Sequence, residues 1–185
     1  GYHPYANVTE AAFSTAPQVQ ANEAAPLEAN GARLNEMTLR YAHGYRAAFA
    51  NARMWRANLE GASFSEGDFR GANLRESVLR SAALDRMQGT RANLVSTDAR
   101  GANFSGADLR NADISYGNLE GATLSTANLG RATLYAVNLR NAKMLRTDFS
   151  HADLRDVKME NAEMPMGNLQ ETDLSGAKMN GVNLT

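Results

Sequence analysis

Cysteine is absent from the 185 residues, which excludes disulfides, thiolate metal sites and cysteine nucleophiles. No apolar run approaches the ~18 residues that a membrane-spanning helix needs. An excess of either charge is also missing. Nineteen Lys and Arg face twenty Asp and Glu, a net charge of −1, and so balanced a chain sets up no global field for nucleic acid or an acidic membrane. Lys itself occurs only at Lys143, Lys158 and Lys178. The three His residues, His3, His43 and His151, are far apart, and a metal site needs several converging ligands. No glycine loop of the phosphate-binding kind appears, and no Ser has the setting of a nucleophile elbow. Composition therefore indicates no catalytic residue, no cofactor and no metal.

What is present is a rhythm of five. Counting by fives from Leu34 to Leu184 reaches 31 positions, of which 28 hold Leu, Phe, Met or Ile; only Gly44, Gly89 and Ala99 depart. Two residues before each such centre stands a small residue, as in Ala107-Asp108-Leu109, with Met37 and Met87 as the large exceptions. Five matches neither the 3.6 of an α-helix nor the 2 of a flat strand. A fixed short repeat over most of a chain signals a solenoid. Small and apolar residues two apart point the same way in extended chain, and the last two residues of each unit are left to turn a corner.

The units Asn58-Leu59, Asn73-Leu74, Asp108-Leu109, Asn118-Leu119, Asn128-Leu129, Asp153-Leu154 and Asn168-Leu169, each preceded by a small residue, resemble the pentapeptide-repeat family over about residues 32–185. The resemblance implies an all-β fold, a right-handed quadrilateral β-helix with four pentapeptides per coil. Thirty-one units then make about eight coils, a rod roughly 37 Å long at ~4.8 Å per coil. Centres twenty apart should stack, as Phe49, Phe69, Gly89, Leu109, Leu129, Phe149 and Leu169 would, with the Met centres as gap-fillers. At Gly44 and Gly89 the reading expects a local bulge or bent loop, with Tyr45 or Met87 displaced. The recurrent Asp and Asn before each centre are expected to form a polar ladder between coils.

Residues 1–31 lack the rhythm and carry three of the four prolines, Pro4, Pro17 and Pro26. They read as an extended arm that caps the first coil or docks on another chain, since solenoid ends need covering. At the other end, the coil reaching Leu184 would expose apolar centres and strand groups. That suggests self-association through this coil, a mode known in the resembled family.

The outer walls supply candidate partner-binding residues. One wall carries Trp55, Val95 and Tyr135, with Tyr116 one residue further round, beside Arg75 and Arg155; exposed aromatics next to Arg are the composition of interface hot spots. A second carries Leu145, Pro165 and Met166, with Leu184 at the end of the chain. The column Arg40, Glu60, Arg80, Arg100, Glu120, Arg140, Glu160 reads as a self-compensating ladder, or as an Arg strip around Arg80 and Arg100 facing an acidic partner.

Three functions follow. The first is a non-catalytic interaction scaffold, a peripheral stabilising subunit whose partners are other protein subunits, with no nucleic acid partner and membrane association only through those subunits. The second is implied by the resemblance: some members mimic duplex DNA, bind gyrase and protect it from quinolones. That role needs a strongly acidic rod, whereas seven basic and seven acidic residues lie between Glu60 and Arg110. The third, an enzyme, has no room for substrate in an interior of Leu and Phe. A first residue other than Met and the family resemblance together suggest a processed protein of the chloroplast thylakoid lumen serving a photosynthetic membrane complex. Bacterial cytoplasm is the alternative compartment.

Overall fold

The computed structural model describes residues 27–185; the part of the expected arm that covers residues 1–26 lies outside them. Every bridge between chain segments is parallel and joins residue i to i+20, from Glu28–Ala48 through Glu163–Asn183. Twenty residues, or four pentapeptides, therefore complete one coil. The sheet is a ladder of single bridged residues, one per side; among the described residues no run of strand forms, because a corner follows each bridge within two positions.

The unit around Leu109 shows how five residues satisfy their backbone. The centre donates to the next coil (Leu109 N to Asn128 O, 2.8 Å), as does the corner residue (Asn111 N to Gly130 O, 3.2 Å). The residue before the centre donates to the previous coil (Asp108 N to Met87 O, 2.9 Å). The small residue of the next unit closes a turn (Ala112 N to Leu109 O, 3.0 Å). Corner residues from Gly31 to Gly181 all have positive φ, between 53° and 74°. An i to i+3 bond with positive φ only at the third residue is a type II turn. Most of these corners are not glycine, and Asn is frequent among them, as at Asn51, Asn111, Asn141 and Asn161, since its short polar side chain tolerates the left-handed region.

One N–H per unit remains, that of the residue after the centre. The preceding Asn or Asp takes it: Arg110 N donates to Asp108 Oδ1 (3.3 Å), Ser115 N to Asp113 Oδ1 (3.0 Å) and Gly130 N to Asn128 Oδ1 (3.0 Å). The sequence reading placed these side chains in a ladder between coils. Such bonds occur, for example Asn138 Nδ2 to Asn118 Oδ1 at 3.0 Å, but the recurrent role is a clamp inside each unit. An N–H otherwise unpaired at a half-buried turn explains the residue choice. Pro165 stands at this same position, where no coil-to-coil donor is lost and a type II turn favours Pro.

Centres and small residues face the axis and, apart from the partly buried Met37 and Gly44, are almost wholly buried from Ala29 to Met164. Buried hydroxyls in small slots bond to backbone: Thr97 Oγ1 to Leu94 O (2.9 Å) and Thr147 Oγ1 to Leu124 O (2.8 Å). Phe49, Phe64 and Phe69 form one aromatic cluster, with centroids 4.9 to 6.2 Å apart.

The two breaks in the pattern are not bulges. Bridges run unbroken through His43–Ser63 and through Asp68–Gln88–Asp108. At Gly44 a Cβ would lie 3.0 Å from two ring carbons of Phe64; the ring of the next coil occupies the missing side chain's space. At Gly89 a Cβ would lie 2.8 Å from Leu109 Cδ2 and 2.9 Å from Met87 Cε. Met87 is fully buried, so the large residue in the small slot fills the hole left at the centre. Volume is exchanged between two inward positions and the backbone is undisturbed. Tyr45, the other side chain expected to be displaced, lies outside and is 58% exposed.

Candidate interaction surfaces

A filled axis leaves the outer walls as the place where chemistry can occur. Among the described residues no group of three or more His, Asp or Glu is arranged to hold a metal ion. His151 Nδ1 lies 3.0 Å from Glu171, and the exposed His43 belongs to a different wall.

The aromatic wall divides in two. Tyr116 is 60% exposed and meets Tyr135 edge-on, centroids 5.4 Å apart and planes at 90°. Arg155 covers the same Tyr135 at 5.6 Å. A hydrogen bond to Asp156 holds the Tyr135 phenol above its usual pKa. Trp55 stands about three coils away from Tyr116, ~14 Å along the axis, and is half-buried under the Arg56 guanidinium, 4.4 Å from its ring. Arg56 is itself held by Glu76 at 2.9 Å. Trp55 and the tyrosines share a wall and are not one patch.

Leu145, Pro165 and Met166 do come together at consecutive coils of one side, where Arg146 N donates to Pro165 O at 2.9 Å. Leu145 and Met166 are exposed, and Leu184 is the exposed centre of the last coil on that side. Leu169, Leu174 and Met179 are only partly buried.

Two exposed aromatics escaped the sequence reading, Tyr41 altogether and Tyr45 as a surface residue. The Tyr41 ring lies over Gly61, whose Cβ would collide with it, beside Arg40 at 5.2 Å. Tyr45 donates to Glu66 Oε2 at 2.7 Å, and Arg46 Nε reaches the same oxygen at 2.9 Å. The signal was there: a Tyr in a corner slot with Gly twenty residues on leaves space for a ring to lie flat.

The charged column is internally compensated. Arg40 pairs with Glu60 (3.2 Å) and Arg140 with Glu160 (2.7 Å). Arg80 and Arg100 converge on one carboxylate, Asp98, at 2.6 and 2.8 Å. The Arg100 hydrogen bond, seconded by Arg80, draws Asp98 down to about 2 from 3.8. Arg80 and Arg100 are thus tied to the wall, which favours the self-compensating ladder over an open Arg strip.

These features define a class: a solid, four-sided solenoid whose charged side chains, among the described residues, all stand on its outer walls. Within that class the assignment is specific. The model for Pentapeptide repeats (8 copies) matches residues 45–80, 90–125 and 127–164, more than half of the chain, and the chain belongs to the pentapeptide repeat family. Members and solved relatives are right-handed quadrilateral β-helices and are generally non-enzymatic structural or interaction proteins. Among solved structures the chain is similar to HetL, a pentapeptide repeat protein involved in heterocyst differentiation regulation from the cyanobacterium Nostoc sp. strain PCC 7120. Identity is 28% over 84% of this chain and 80% of that one, with a TM-score of 0.57. It is also similar in fold to QnrB1, a plasmid-mediated fluoroquinolone resistance protein, at 19% identity over 87% and 92% of the two chains and a TM-score of 0.53. A pentapeptide repeat protein of the Arabidopsis thaliana thylakoid lumen aligns at 22% identity over 82% and 77%, with a TM-score of 0.27, too slight a likeness to bear on compartment. No curated protein sequence matches significantly. Among the described residues no helix is long and apolar enough to cross a membrane.

Proposed function

We propose that this protein is a non-catalytic interaction scaffold, a rod of about eight coils at twenty residues each that acts as a peripheral stabilising subunit of a larger assembly. The observation that carries the reading is the side with Leu145 and Met166 exposed on successive coils, with the exposed Tyr116 as a second contact point on the opposite wall. Large apolar side chains held outward on a rigid backbone are how binding surfaces are built. Among the described residues the interior is filled by Leu, Phe and Ala, and with a family that is generally non-enzymatic this supports reading the protein as a non-catalytic one.

Native pull-down with mass spectrometry tests this. The chain should travel with a large assembly, and Tyr116→Ala/Leu145→Ala/Met166→Ala should release it. Unchanged co-purification of the triple variant would defeat the assignment of these residues. Leu184 and the half-covered Leu169, Leu174 and Met179 support pairing of two copies through the last coil; a monomer by light scattering at high micromolar concentration would remove that element. A photosynthetic membrane complex with lumenal location is the assembly we favour, and fractionation decides between it and bacterial cytoplasm.

A further inference from the structure

Two open depressions on one wall, with volumes of about 590 and 320 Å³, share Arg110 and Asn111 and so form one shallow groove along the rod. Arginine recurs along it once per coil: Arg70, Arg91, Arg110, Arg131. The four are not equivalent. Arg70 and Arg110 are each forked onto the aspartate two residues back, Nη2 to Oδ2 at 2.6 Å for Asp68 and 2.7 Å for Asp108. Arg91 and Arg131 stand at left-handed corners, φ 60° for both, are exposed, and make no ion pair or side-chain hydrogen bond among the described residues. Two unengaged guanidiniums therefore project over a groove that Gly71 and Gly130 keep low, their own coils two apart, ~9.6 Å along the axis.

The geometry points to a docking site for an acidic, extended segment of a partner protein, with carboxylates at every third residue. A polyproline II chain has three residues per turn and rises ~3.1 Å per residue, so like positions recur every ~9.3 Å on one face. That step matches the spacing of Arg91 and Arg131, and each guanidinium presents a fork that suits one carboxylate. A nucleic acid fits less well. It carries a charge every ~3.4 Å per strand, about three for each free guanidinium, and the surplus phosphates would face Asp68, Asp108 and Asp148 on the same wall. The site deepens the interaction-scaffold reading and rests on it, but it lies on a different wall from Leu145 and Met166.

Fluorescence anisotropy with a labelled peptide of Glu-Pro-Pro repeats, at low and physiological salt, tests the groove. Saturable, salt-sensitive binding is expected. Arg91→Asn/Arg131→Asn should weaken it about tenfold, the loss expected for two exposed charge pairs, because Asn accepts the left-handed corner and keeps the fold. Arg146→Asn, at a corner of another wall, should bind as the parent does. An unchanged melting temperature confirms that the double variant is folded. No binding of the peptide, or equal binding by the double variant, would overturn the site. So would tighter binding of a single-stranded oligonucleotide of the same length. A negative peptide result alongside intact co-purification with the assembly would fail this groove alone.

Discussion

Met87 and Gly89 offer the sharpest test of the packing argument. Met87 is fully buried in a slot that elsewhere holds Ala, and its Cε would stand 2.9 Å from a Cβ added at Gly89. Met87→Ala alone removes the side chain and leaves a hole, which costs about 2–5 kcal/mol. Gly89→Leu alone forces a side chain into space held by Met87 and Leu109, an overpacking of about 1–3 kcal/mol. The double variant restores the ordinary Ala-x-Leu unit seen at Ala107-Asp108-Leu109. If the two positions exchange one volume, the double variant should lie within ~2 kcal/mol of the parent. The coupling should then reach at least about 1 kcal/mol, within the range that neighbouring residues show. Urea denaturation of the four proteins at matched m-values measures it. Strictly additive losses would refute the exchange and return the break to an unexplained backbone feature.

The Asx clamp predicts that Asn103→Ala, which strips an acceptor from Ser105 N (3.0 Å) and Ser105 Oγ (2.6 Å), lowers stability by about 0.5–1.5 kcal/mol in the same assay. Leu109→Ala should cost about 2–5 kcal/mol, and Leu109→Asp should abolish cooperative unfolding of the neighbouring coils, read by circular dichroism. Asp98 titrates at about 2 in the folded protein against an ordinary 3.8. Its pKa is depressed on folding, so its contribution is present above the unfolded value of 3.8, begins to fall within about a unit above it, and is lost as pH falls through about 2. The stability difference between the parent and Asp98→Asn should therefore shrink between pH 5 and pH 2; a constant difference would contradict the pairing. In a gyrase supercoiling assay the protein should give no protection from fluoroquinolone, because Arg70, Arg91, Arg110 and Arg131 oppose mimicry of a polyanion.

The phase of the fold was readable because burial demands one apolar side chain at each inward position, and Leu34 through Leu184 satisfy that demand in step. Gly44 and Gly89 were not readable in the same way. A missing centre is compatible with a bulge or with a neighbour filling in, and only the positions of Phe64 and Met87 decide between them. The Asn and Asp before each centre announced a polar position, but which N–H lacked a partner emerges only once the other four are traced between coils. Spacing by twenties put Trp55, Tyr116 and Tyr135 on one wall, and the same count sets Trp55 three coils from Tyr116, but the guanidinium lying over Trp55 and the edge-on meeting of the tyrosines were not readable from it. Pairing of Arg80 and Arg100 with a single carboxylate was likewise hidden, since Asp98 precedes its centre and the arginines follow theirs.

The twenty-residue step has a bearing on how such a molecule can change length. Removing or duplicating twenty residues would return each downstream side chain to its former azimuth, so a longer or shorter version keeps the same compass of surfaces. An insertion of five would also preserve burial, yet it would swing everything beyond it by a quarter turn. Arg131 would then point away from the direction of Arg91, while the interior, blind to azimuth, would barely register the difference.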